Sequence, residues 1–374
     1  MVNGLLIFLL FAFVVIFWRW PDIQNTLWRR KYSHLSLSPQ QHALLLRAMP
    51  IYNKMTDADR AKLARHIVWF LNEKRFVGCD GLQLTEAMKL IIAADACLLV
   101  LNKPWPLYKN VKEILLYPSA YYAPQSSRDN AGLVSFHNTV RQGESWPGGT
   151  LVLSWHDVLE GNRLPSDGHN LVFHEFAHQL DQETGKTTGT PLLTSQTHYQ
   201  QWGKVFSRAF SQLKTHVAYN MPHVIHSYGA TNEAEFFAVI TETFLEKPAD
   251  LRRDDPEIYR LLVDFYQFDP IVWVEQAAAD FLAKGVGNVV ITLGGRGAYY
   301  ANDTGAKGLI PAQKVNVVDT TAAGDTFIGS YAVEVALSKT FDIENAVRSG
   351  IHTSSYTVAR RGAQVSIPWK NELE

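Results

Sequence analysis

The sequence predicts an α+β protein, mainly helical with a small sheet, that begins with an apolar helix and ends in a short α/β segment. Three observations lead there. Stretches free of Gly and Pro, such as 171–181, repeat apolar residues at helical spacing. Short strand-like runs gather between Lys112 and Trp155. A separate strand, Gly turn and strand pattern opens at Val289 and runs to Tyr300.

In chain order, residues 4–18 carry no charge and approach the roughly 20 residues that span a bilayer. Trp18 and Trp20 suit an interface, and Arg19, Arg29, Arg30 and Lys31 follow closely. Positive charge after the span places the remainder on the cytoplasmic side. No basic residue precedes the segment and no small-x-small cleavage site follows it, which disfavours a removable leader. The expectation is a transmembrane anchor at 1–20 and a main domain at 21–276 facing the cytoplasm from the inner membrane. A second unit follows at 277–374. Two units plus an anchor suit 374 residues.

Helices are expected at Pro39 to Met49, Thr56 to Asn72 and Thr85 to Val100, with Asp57 and Asp59 enriching the start of the second. The run Gly149 to Trp155 reads as a strand. Asp254-Asp255-Pro256 starts a late helix, and Asp269-Pro270 ends it. Val274 to Leu282 is helix-like, so the second unit joins through a helix. A net charge of −1 and the lack of a long basic run exclude a nucleic-acid partner. Cys79 and Cys97 have no metal-like spacing and need no disulfide.

The run His174-Glu175-Phe176-Ala177-His178 carries the chemistry. On a helix, positions i and i+4 share a face, so both imidazoles point the same way. Two nitrogens at that spacing grip one zinc ion, and Glu175 reaches a water held there. The alternative is a surface helix with two solvated His. Leu171, Val172, Phe173, Phe176, Ala177 and Leu180 argue against it, because a buried helix needs partners for its polar groups. A zinc hydrolase also needs a third ligand. Asn232, a plausible N-cap, opens a second apolar helix. Pattern alone leaves Glu233, Glu235 and Glu242 open as the third ligand. Asp181 lies on the ligand face, either orienting a ligand His or accepting hydrogen bonds at the helix end. His156 and His169 read as loop or core residues.

Together, His174 to His178 and Asn232 to Ala238 resemble the MtfA-type zinc metallopeptidases, whose core is similar to that of the anthrax lethal factor protease. Glu73-Lys74-Arg75-Phe76, Leu84 to Met88, Tyr117-Pro118-Ser119 and Leu153-Ser154-Trp155 agree with it. The resemblance spans about residues 35 to 273. It implies a zincin-type fold, His174, His178 and Glu235 as zinc ligands, Glu175 as general base and Tyr228 as a catalytic hydroxyl. It also implies an edge strand beside the metal, Gly149 to Trp155, that pairs with an extended peptide substrate, where the residues themselves leave a core strand as the alternative. The family is further linked to sequestering a transcriptional repressor of sugar uptake, a candidate partner here.

Val318-Asp319-Thr320-Thr321-Ala322-Ala323-Gly324-Asp325-Thr326-Phe327 precedes a helix beginning near Thr326. Small residues there let backbone N–H groups approach a phosphate, and Asp325 is placed to take a proton from a hydroxyl. With Gly297, Ala323 and Gly324, this resembles the C-terminal part of a ribokinase-like (PfkB) sugar kinase. ATP and a monovalent cation are the cofactors that resemblance implies. It covers only about residues 277 to 374, so a kinase fragment without activity is expected. Three functions therefore stand: a zinc aminopeptidase or endopeptidase, a carbohydrate kinase using Asp325, and a regulator-binding protein with a silent zinc site.

Overall fold

The structure is a computed structural model. It describes residues 35–103, 108–128, 134–141, 143–146, 148–163, 167–338 and 340–373. Its first helices start where side chains satisfy free N–H groups. Ser38 and Gln41 form a reciprocal capping box at α1 (Pro39–Ala48), with Pro in the first turn. Thr56 caps α2 (Asp57–Glu73), and Thr85 caps α3 (Glu86–Leu98), which is buried from Leu90 through Leu98.

The sheet follows. Strands β1 (Arg75–Gly78), β2 (Glu113–Tyr117) and β6 (Thr150–Ser154) run parallel. β5 (Gly143–Trp146) pairs antiparallel to β6, giving the order β1-β2-β6-β5. Between them, β3 (Tyr121–Arg128) and β4 (Val134–Arg141) form a separate antiparallel pair. The strand expected at the edge, β6, is therefore an interior strand. Its buried Leu151, Val152 and Leu153 suit a strand covered on both faces. Among the described residues, β5 is the edge on that side of the sheet.

After α4 (Trp155–Arg163) come α5 (Leu171–Gln182) and α6 (Gln196–Ala218). A short 3-10 turn (Ser227–Ala230) leads to α7 (Glu233–Glu246), buried without interruption from Phe236 to Glu246. Then α8 (Pro248–Asp254) and α9 (Pro256–Tyr266) pack against it, and α10 (Pro270–Ala283) packs against α8. One apolar core runs from Leu37 to Trp273. Asp269-Pro270 opens α10 and does not end α9: the Asp269 carboxylate accepts the Ile271 N–H at 2.9 Å, and Pro sits in the first turn. α9 stops earlier because Gln267 adopts φ 59°, outside the right-handed helix region.

The C-terminal segment is an antiparallel sheet, β7 (Asn288–Thr292), β8 (Ala298–Asn302) and β9 (Lys307–Ile310), with α11 (Ala323–Leu337) and α12 (Ile343–Val358). It has two small cores. Val274 and Ala278 of α10 share one with Val289, Leu293, Tyr299 and Ala301, so α10 joins both regions. Helix α11 begins at Ala323, three residues before the expected Thr326, because Ala322 takes φ 66° and ends the preceding turn.

The membrane-anchored localisation is corrected. Among the described residues no helix is long and apolar enough to cross a membrane. The longest, α6, has 23 residues but carries Lys204, Arg208 and Lys214, charges that are costly in a bilayer core. The apolar segment 4–18 itself lies outside the described residues.

Candidate metal centre

Helix α5 starts at Asn170, whose side chain accepts the Phe173 N–H at 3.1 Å. One turn later it presents His174 and His178 side by side, ring centroids 4.8 Å apart. Helix α7 faces it, capped by Asn232, whose side chain accepts the Glu235 N–H at 2.9 Å. Glu235 Oε2 lies 3.1 Å from His174 Nε2 and 3.4 Å from His178 Nε2. One ligand atom from each residue falls within 4.8 Å of the others, forming a three-residue cluster suited to a metal ion.

The two Glu235–His distances fit the cation that the motif implies. Zinc–nitrogen bonds of about 2.0–2.1 Å place neighbouring tetrahedral ligands roughly 3.4 Å apart. The ring on α5 is also oriented for it. Glu242 Oε1 sits 2.7 Å from His174 Nδ1. A proton held at Nδ1 by that carboxylate leaves the Nε2 lone pair aimed at the cluster. The other Glu242 oxygen, Oε2, accepts the Asn170 N–H at 2.7 Å, tying α7 to the start of α5.

Electrostatics follow the same geometry. Burial works to raise the Glu235 carboxyl, but the two imidazoles beside it hold it at about 2. Burial works to lower the His174 ring, but Glu242 and Glu235 outweigh it and push it well up. Three charged or chargeable groups thus share a partly enclosed space. A cation bound there would be held by both imidazole rings and the Glu235 carboxylate. By contrast, His178 Nδ1 is buried with no hydrogen-bond partner among the described residues.

The remaining candidates separate. Glu175 lies on α5 and is buried, and that burial raises its carboxyl. Tyr228 is 50% exposed on the 3-10 turn, its ring centroid 6.0 Å from that of His174. Its N–H donates to His226 Nδ1 at 3.3 Å. Glu233 is exposed at the start of α7. Asp181 does not sit on a ligand ring: its oxygens accept the Gly189 N–H at 2.7 Å and the Thr190 N–H at 2.8 Å, pinning the loop after α5. The carboxylate that does orient a His is Glu242. Its signal in the sequence was its position seven residues after Glu235, nearly the same helix face. His169 is exposed against His226, and the His156 side chain is 66% exposed beside Asp157.

In the C-terminal segment, Gly324 and Asp325 are exposed in the first turn of α11, next to half-buried Ala323. Gly297 serves the sheet. At φ 96° a Cβ there would lie 1.8 Å from the Ile310 carbonyl oxygen of β9.

Comparisons with known proteins agree with both halves. Residues 24–267 match the glucose-regulated metallo-peptidase M90 family. Residues 266–370 match the pfkB family of carbohydrate kinases. An uncharacterized Synechocystis protein is 37% identical over 272 residues, covering 72% of this chain and 98% of its own. Mlc titration factor A of Klebsiella pneumoniae is 31% identical over 236 residues, covering 62% of this chain and 87% of its own. A Thermotoga maritima ribokinase structure is 43% identical over 32% of this chain, with a TM-score of 0.25. The chain spans 38% of that ribokinase and 34% of a Salmonella enterica aminoimidazole riboside kinase.

Proposed function

The chain belongs to the glucose-regulated metallo-peptidase M90 family, and from that premise we propose that it is a zinc-dependent peptidase. The observation that carries the reading is the convergence of His174 Nε2, His178 Nε2 and a Glu235 oxygen within 4.8 Å. These three residues would hold the ion. Bound there, zinc would polarise a peptide carbonyl and increase the acidity of a water.

The protein's own groups supply the rest. Glu175, one residue from His174 and buried, accepts the proton of the attacking water and returns it to the departing amine nitrogen. The Tyr228 hydroxyl donates a hydrogen bond to the carbonyl oxygen as that oxygen gains charge. Glu242 holds the His174 ring in place through Nδ1. β5, among the described residues the sheet edge packed nearest the ligand helix, is placed to pair its outer backbone groups with an extended peptide.

A panel of fluorogenic peptides, with free and with blocked N-termini, tests the reading. The wild-type chain is expected to cleave at least one, and the preference between the two sets separates aminopeptidase from endopeptidase. Glu175→Gln is expected to retain zinc and lose at least about a thousandfold in turnover, a size typical of a lost general base. An undiminished Glu175→Gln enzyme would remove Glu175 from the mechanism.

A second reading is favoured by the relatives named Mlc titration factor A. In it the chain binds a protein regulator and the metal site is silent. Binding that survives Glu175→Gln in a chain with no cleavage would support it. The C-terminal segment is proposed to be inactive as a kinase: Asp325 stands exposed on α11, and the chain spans 38% of a ribokinase. ATP-dependent sugar phosphorylation lost in Asp325→Ala would overturn that.

A further inference from the structure

The sheet edge meets the proposed base at one atom-sized gap. β5 runs antiparallel to β6, with Gly143 opposite Leu153. At Gly143 the backbone passes directly against the Glu175 side chain of α5. A Cβ at position 143 would lie 2.3 Å from Glu175 Oε1, 2.6 Å from Cδ and 2.7 Å from Cγ. No real side chain tolerates contacts that short. Position 143 is not a turn glycine, since its φ falls outside the left-handed region. The reason for a missing side chain is the space that the carboxylate occupies.

We propose that Gly143 is a positioning residue, whose bare backbone fixes the place of the Glu175 carboxylate over the metal cluster. This rests on the peptidase reading and deepens it. The two partners in the clash are unequal. β5 is held by its ladder to β6, and β6 by its ladder to β2. The Glu175 side chain has rotatable bonds and moves more readily. An added methyl at 143 therefore displaces the carboxylate and leaves the strand where it is. The cost falls on turnover, with little effect on folding or on metal binding, because neither ligand His nor Glu235 is touched. A misplacement of about 1 Å in a reacting group costs on the order of a hundredfold in rate.

The test uses the full chain as wild type, Gly143→Ala, Glu175→Asp and the double variant. Zinc content, thermal midpoint, kcat and KM are measured on the fluorogenic peptide that the wild type cleaves fastest. Gly143→Ala is expected to keep its zinc, its midpoint and its KM, and to lose about a hundredfold in kcat. In the Glu175→Asp background the same change is expected to cost less, because the shorter acid loses the contacts at 2.3 and 2.6 Å and keeps the one at Cγ, 2.7 Å. Equal losses in both backgrounds, or a kcat that does not fall, would overturn the proposal. A crystal structure of Gly143→Ala decides the matter without any activity. The proposal expects a displaced Glu175 carboxylate beside an unmoved β5, and an unmoved carboxylate beside a shifted strand would contradict it. A wild-type chain that cleaves no peptide removes the peptidase reading alone, and the structure still reports whether Gly143 sets Glu175.

Discussion

Helices α7 and α11 are of similar length and similarly apolar, yet they live in opposite surroundings. Helix α7 is buried from Phe236 to Glu246 and carries Glu235 and Glu242 to the metal cluster. Helix α11 buries only Thr326 and Phe327. Its Ile328 and Leu337 are 66% and 77% exposed. The first region closes its core around a site. The second keeps a chemically suggestive motif on a helix whose apolar surface is largely uncovered. A motif gains meaning from the packing that aims its side chains, and α7 has that packing where α11 does not.

Removing a large side chain from the closed core gives the largest effect on stability. Trp202 is fully buried, stacks on Phe206, meets Phe237 and Phe265 edge-on, and donates to the Gly189 carbonyl at 3.1 Å. Trp202→Ala is expected to cost about 3–5 kcal/mol in denaturant unfolding. A loss under about 1 kcal/mol would mean that this core is not close-packed.

The closed region also buries a carboxyl group, which gives a pH signature. Burial raises the Asp95 carboxyl to about 7, although Asn162 donates to it at 2.8 Å. In the unfolded chain the same group titrates near 3.9 (about the ordinary Asp value). The folded state then holds its proton more tightly than the unfolded state does. Stability is present at low pH and falls as pH rises from about 4 to about 7. Asp95→Asn is expected to remove this loss, so its melting temperature relative to wild type climbs across that window. A constant difference would show that Asp95 does not titrate there.

The open region gives the smallest effect. Leu337→Gln is expected to change stability by no more than about 0.5 kcal/mol, as for a solvated surface position. A larger loss would show that α11 is covered in solution and would erase the contrast with α7.

Much of this was legible in the sequence because local chemistry fixed it. The helix starts near Thr56 and Thr85, the Asn232 cap and the apolar helix around His174 and His178 all appear where their residues imply. Long-range pairing was less legible. Nothing in Thr150–Ser154 says which strand lies beyond it; the edge role came from the family resemblance, and β5 lies outside β6. The roles of Glu242 and Asp181 stayed open for a related reason. Both are acids on suitable helix faces, and only the approach of α7 to α5 puts one against His174 Nδ1 and leaves the other to the 189–190 loop. The start of α11 was missed because Ala322 adopts a left-handed conformation with no residue type that announces it.

The most direct test is metal stoichiometry by native mass spectrometry on the wild-type chain, Glu175→Gln and Glu235→Ala. One zinc per chain is expected in the first two and none in Glu235→Ala. A wild-type chain without zinc, or a Glu235→Ala chain that still holds one as firmly, would contradict it.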